Sequence, residues 1–187
     1  MRIILITIIF ILSSHFPALS DVTFEGANNE IVILTGSIEI EELDEMLELM
    51  KAKKPTQMIL DSYGGNIRSA ERLAQYIYEN NISTYVSEVA VCKSACVILF
   101  LAGKKRLCEG ELGVHQARPS KEMEYDIMIS KVAYKYLQRD MGELVTLLNR
   151  FNTPPFVYEQ MFKSYDIYNF SKEEIAQINT VKSLDEM

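Results

Sequence analysis

Short β-branched runs recur between amphipathic helical segments along this chain, and that alternation limits the fold more than any other feature. Strand, helix and strand in succession return the chain to a sheet in parallel order. The strand-like runs are residues 31–34 (IVIL), 58–60 (MIL), 82–86 (ISTYV) and 111–115 (ELGVH). A helix is predicted over 41–54, with Leu43, Met46, Leu47 and Met50 on one face, acids at its start, lysines at its end and Pro55 after it. Asn66 caps a second helix whose apolar face is Ile67, Ala70, Leu73, Ala74 and Ile77. Residues 97–102 form a wholly apolar helix closed by Gly103. A long helix is predicted over 120–149, with Leu137, Met141, Leu144 and Leu148 on one face, broken at Pro154-Pro155. A short helix over 156–163, an extended stretch over 166–170 and a last helix over 172–178 follow, the last opened by a Ser171/Glu174 capping box. The expectation is one α/β domain over 21–187 with a mostly parallel sheet.

Composition narrows the function. The chain has 187 residues, 48% hydrophobic and 24% charged, which excludes disordered and low-complexity classes. A net charge of −7 argues against nucleic acid or an anionic membrane surface as partner. Residues 1–20 read as a cleaved secretory signal. Arg2 precedes the apolar run 3–12, which is shorter than the ~20 residues of a membrane span, and Ala18-Leu19-Ser20 offers small residues to the peptidase. The alternative is an uncleaved amino-terminal anchor. Export implies an oxidising compartment, periplasmic or, as the alternative, extracellular. The sequence carries no G-x-x-x-x-G-K-[ST] loop, and exported chains meet no ATP, so the activity is expected to need no nucleotide.

Four features bear on chemistry. Gly64-Gly65 lies between a strand and a helix, where glycines let backbone N–H groups turn toward a ligand, and a helix N-terminus favours a developing oxyanion. Taken alone the pair reads as a tight turn. Ser94 stands at a strand-to-helix junction, the logic of a nucleophile elbow without the G-x-S-x-G pattern. Taken alone it reads as an N-cap. His115 is the only histidine once His15 leaves with the signal, and an imidazole is the side chain best suited to act as a general base. It also fits a structural role, and its spacing from the cysteines matches no zinc pattern, so no metal is expected. An acid to orient the imidazole has three candidates after it, Asp126, Asp140 and Asp166. The first two lie on the long helix as solvated charges would, and Asp166 opens the extended segment.

The segments IVILTGSI (31–38), LDSYGGN (60–66), Ser94-Ala95 before an apolar helix, LGVHQ (112–116) and DIYNFSKEEI (166–175) resemble, in order and spacing, the ClpP/crotonase superfamily. More closely they are similar to its exported ClpP-like serine protease relatives. The resemblance implies a ββα superhelix with the long helix inserted as a handle. It implies Ser94 as nucleophile, His115 as base, Gly65 and Ala95 as oxyanion donors, and Asp166 as the acid, one residue off the family position when aligned on Ser171. Lys93 or Lys131 in a Ser-Lys dyad is the alternative. The relatives' Cys-x-Ser-x-Cys arrangement matches Cys92 and Cys96, whose disulfide would staple the elbow. A bridge from either to Cys108, or free thiols throughout, stays open.

The leading expectation is an exported, ATP-independent serine peptidase acting on a peptide or protein substrate through an acyl-enzyme, with no cofactor and, by analogy, as a homo-oligomer. A binding or scaffold protein with a decayed triad is the rival. A crotonase-type acyl-thioester enzyme is a third reading that export disfavours.

Overall fold

A computed structural model of the chain describes residues 21–25, 30–117 and 130–187. The expected signal at 1–20, the expected first turns of the long helix at 120–129 and Asp126 lie outside the described residues. The order is β1 (Asp21–Glu25), β2 (Ile31–Ile38), α1 (Leu43–Lys53), β3 (Gln57–Gly65), α2 (Ile67–Glu79), β4 (Ser83–Val86), β5 (Val91–Lys93), α3 (Ala95–Ala102), β6 (Arg106–Cys108), β7 (Glu111–Val114), α4 (Ser130–Arg150), α5 (Pro155–Lys163), β8 (Tyr168–Asn169) and α6 (Lys172–Ile178). The fold is α/β with a mostly parallel mixed sheet. β2, β3, β4, β5, β6 and β7 join in parallel pairs, and β1 and β8 add antiparallel edges. No helix of the described residues is long and apolar enough to cross a membrane.

β3 is the pivot of the sheet. Its first residues pair with β4, Gln57 through Ile59 against Ser83 through Tyr85, while farther along Ser62 pairs with Cys92 of β5. The sheet therefore forks, one branch running β4–β6 and the other β5–β7–β8. The sequence reading ended this strand at Leu60 and took the diglycine as a turn. The strand instead runs through Gly65, because it has partners on both edges, Ile38 of β2 facing Gly65 at its far end.

All eight residues of α3 are buried, as an apolar segment without a polar face requires. It packs against β3, β4, β5 and β7, and α2 covers it. The predicted faces of α1 and α2 are the buried ones, Asn66 Oδ1 accepts the Ser69 N–H at 3.0 Å as N-cap, and the Ser171/Glu174 box closes at both ends. Leu144 and Leu148 of α4 reach the same core.

β1 and β6 escaped the sequence reading. β6 carries a buried cation in its three residues, Arg-Leu-Cys, a composition that does not announce a core strand. Arg106 is 5% exposed and, among the described residues, pairs with no carboxylate. Its guanidinium donates to the carbonyls of Leu101 (2.6 Å), Phe151 (2.9 Å) and Ile178 (3.2 Å). These carbonyls end α3, α4 and α6, where the helix dipoles are negative. The outer edge of β6 is covered by residues 179–180. Asn179 bonds both the N–H and the carbonyl of Cys108, at 2.8 and 3.2 Å, and Thr180 does the same for Arg106.

Candidate active site

The other branch carries the strained backbone. Ser94 lies between β5 and α3 with φ 54° and ψ −125°, a left-handed conformation that costs a residue with a Cβ ~1–3 kcal/mol. Its hydroxyl makes no capping bond to the helix. The N-cap role that the sequence left open is thus unfilled, and the turn from β5 into α3 is a strained one. The turn is held by its backbone, Ser94 N–H to Gly113 O at 2.8 Å and Val97 N–H to Ser94 O at 3.0 Å. A disulfide joins Cys92 to Cys96 across it, with Cα atoms 5.2 Å apart. Cys108 is a buried free thiol whose pKa is pushed up to about 12 by burial.

The diglycine presses on this elbow. A Cβ on Gly64 would sit 2.8 Å from the Ser94 Cβ and 2.9 Å from the Ala95 nitrogen, and one on Gly65 would strike the Ile38 backbone. With φ of +101° and +147°, both positions require glycine. Gly64 N–H donates to Ser62 Oγ at 3.0 Å, and Asn66 N–H to Ile38 O at 2.7 Å on the β2 side. Gly65 lies between these two anchored N–H groups, at a φ outside the regular strand region. Ala95 N–H is the first of α3, one of the donors a helix start leaves without an intrahelical partner. Ala95 thus brings a backbone donor next to Ser94, and Gly64 packs against both.

His115 follows β7, the parallel neighbour of β5. Lys93 pairs with Gly113, so Ser94 and His115 leave adjacent strand ends, which run about 4.8 Å apart. The half-buried His115 ring places Nδ1 2.7 Å from the Gln116 carbonyl. A carbonyl only accepts, so Nδ1 carries the proton and Nε2 keeps the lone pair a base needs.

The tail from α5 to β8 folds over this end of β7. Gln116 N–H meets Ser164 O at 2.7 Å, Phe170 N–H meets Leu112 O at 2.9 Å, and Gly113 leaves room for Asn169 and Ile167. Asp166 is carried to the same edge but is exposed. Its own N–H bonds Ser164 Oγ at 3.0 Å, and among the described residues its carboxylate makes no hydrogen bond to His115. The orienting contact on Nδ1 belongs to Gln116. Asp140, the other described candidate, lies on α4 in an ion pair with Arg68 at 2.9 Å.

Lys93 does not approach the Ser94 hydroxyl as a base. Its ammonium pairs with Glu111 at 2.7 Å and lies 5.7 Å from the centre of the Tyr63 ring. The side chain of Lys131 lies outside the described residues. Ser62, just ahead of the diglycine, was missed in the sequence. Its signal was available, a serine two residues before a glycine that needs its N–H fixed.

A cleft of about 820 Å³ opens elsewhere, between α2 and α4, lined by charged residues that include Arg68, Glu71, Arg139 and Asp140. Among the described residues no group of three or more His, Cys, Asp or Glu side chains is gathered to hold a metal ion. No family model matches the chain, and no curated protein matches it.

Proposed function

We propose that the chain is a serine hydrolase of ClpP-like architecture, most simply a peptidase that needs no ATP. The observation that carries the reading is the uncapped, positive-φ Ser94 at the start of a buried helix, with the Gly64-Gly65 backbone against it. Ser94 Oγ attacks the substrate carbonyl and its proton passes to His115 Nε2. The N–H groups of Gly65 and Ala95 hold the tetrahedral oxyanion. The protonated His115 gives the proton to the leaving amine, and water then releases the acyl group by the same route in reverse. In this scheme the Gln116 carbonyl fixes the ring and Asp166 supports it from the tail once substrate is bound. α4 corresponds to the handle of the ClpP-like fold, and export to an oxidising compartment suits the Cys92–Cys96 bridge. The detachment of Asp166 from His115 favours the second reading, a ClpP-fold binding protein whose triad has decayed.

Labelling with a fluorophosphonate separates the two. The serine oxygen bonds to phosphorus, fluoride leaves, and the proton goes to the base. The hydrolase is expected to carry the adduct on Ser94, to lose it in Ser94→Ala and to label about 100-fold more slowly in His115→Ala. Folded protein that takes up no probe overturns the hydrolase and leaves the binding role.

A further inference from the structure

Ser62 is 1% exposed, and both faces of its hydroxyl are engaged. Its Oγ donates to the Gly36 carbonyl at 2.5 Å and accepts the Gly64 N–H at 3.0 Å. Gly36 lies at φ +83°, where the β2–β3 register shifts between Thr35 and Ser37, and the irregularity brings that carbonyl within reach. The backbone of Ser62 meanwhile pairs with Cys92, one end of the elbow's disulfide. One side chain therefore joins the bulge of β2, the diglycine of β3 and the strand that carries Ser94.

A buried serine that bonds an N–H two residues on is ordinarily a local turn, satisfying itself and nothing more. Here the direction of the Gly64 N–H decides which peptide faces the elbow. Gly64 and Gly65 both have positive φ and no Cβ to restrict them, so this backbone can rotate unless something holds it. Holding the Gly64 N–H on Ser62 Oγ limits how the following peptide, which carries the Gly65 N–H, can turn beside Ser94. We propose that Ser62 is a positioning residue that aims the oxyanion donor, an inference that rests on the serine-hydrolase reading.

Inactivation kinetics with the fluorophosphonate test it on the full chain. Deleting an oxyanion donor outright costs about 100- to 1000-fold in rate, and misaiming one costs less. Ser62→Ala is expected to lower the limiting inactivation rate about tenfold and to leave the reversible affinity for the probe unchanged, at a temperature well below its melting point. Ser62→Thr keeps both hydrogen bonds and is expected to restore the rate. Amide hydrogen exchange supplies a second measurement, in which Ser62→Ala speeds exchange at Gly64. A folded Ser62→Ala that labels at the wild-type rate overturns the proposal, and so does unchanged exchange at Gly64. A wild-type protein that never labels overturns the hydrolase instead, and the exchange result still decides whether Ser62 fixes the diglycine.

Discussion

The two branches that leave β3 solve opposite problems. In the β4–β6 branch a buried cation is held by backbone carbonyls. Arg106 gathers the carbonyl ends of three helices, and Asn179 and Thr180 complete the strand edge. In the β5–β7–β8 branch the backbone of Ser94 is held in an unfavourable region, its hydroxyl uncapped, beside two glycines that tolerate no side chain. One branch minimises local free energy and the other stores it. Strain of this kind persists only where the surroundings over-determine it. Here the surroundings are β3, Gly113 and the disulfide.

The sharpest way to break this contrast is to damage the satisfied branch. Arg106→Met leaves three buried carbonyls without a donor and should cost about 3–5 kcal/mol, measured by urea denaturation. Lysine should not rescue it, because an ammonium cannot span three carbonyls as the planar fork does. Next is the elbow's staple. Closing so short a loop stabilises by about 2 kcal/mol in the chain-entropy treatment, so Cys92→Ala/Cys96→Ala should lose that much and slow labelling of Ser94. Cys108→Ala should leave the labelling unchanged. A smaller effect has the opposite sign. Ser94→Gly removes the Cβ that makes the conformation costly and forfeits no capping bond, so it should stabilise by about 1 kcal/mol while abolishing labelling. A destabilised Ser94→Gly would show that the elbow is not strained.

The smallest effect lies outside both branches and serves as their control. Glu71, on α2, has its carboxyl pushed up to about 7 by burial first and then by Asp140 and Glu143, against a lowering by Arg68. Between its ordinary value and about 7 the folded chain holds a proton that the unfolded chain releases. Stability therefore falls as pH rises through this window, and the penalty is complete above it. The group is only half-buried, so solvent screening leaves about 1 kcal/mol. Glu71→Gln should gain that much at pH 8 and little at pH 5, by urea denaturation at the two pH values.

Periodicity carried most of the fold. The buried faces of α1 and α2, the apolar α3 and both side-chain caps were legible because each is a local pattern. The fork was not, since which strand meets which half of β3 is settled by tertiary pairing, and a short strand holding an arginine gives no hydrophobic signal. At the site, the type and order of residues singled out Ser94, His115 and the diglycine. The backbone of Ser94 and the two engagements of Ser62 belong to three-dimensional geometry. Asp166 shows the same limit from the other side. Spacing brought it to the same edge of the sheet as His115, and no spacing rule says which way an exposed side chain in the bend before a two-residue strand will turn.

The bridge between Cys92 and Cys96 has a consequence for timing. Both residues are 0% exposed, Cys92 on β5 and Cys96 in the first turn of a helix buried along its whole length. Thiol–disulfide exchange needs an attacking sulfur in line with its target, and no oxidant reaches either position once α3 is seated. The bond must therefore be made while this stretch of chain is still open, ahead of the packing that later conceals it. A chain that folds before it is oxidised would lock two thiols inside its core, so the order of two events during maturation decides whether the elbow is ever stapled.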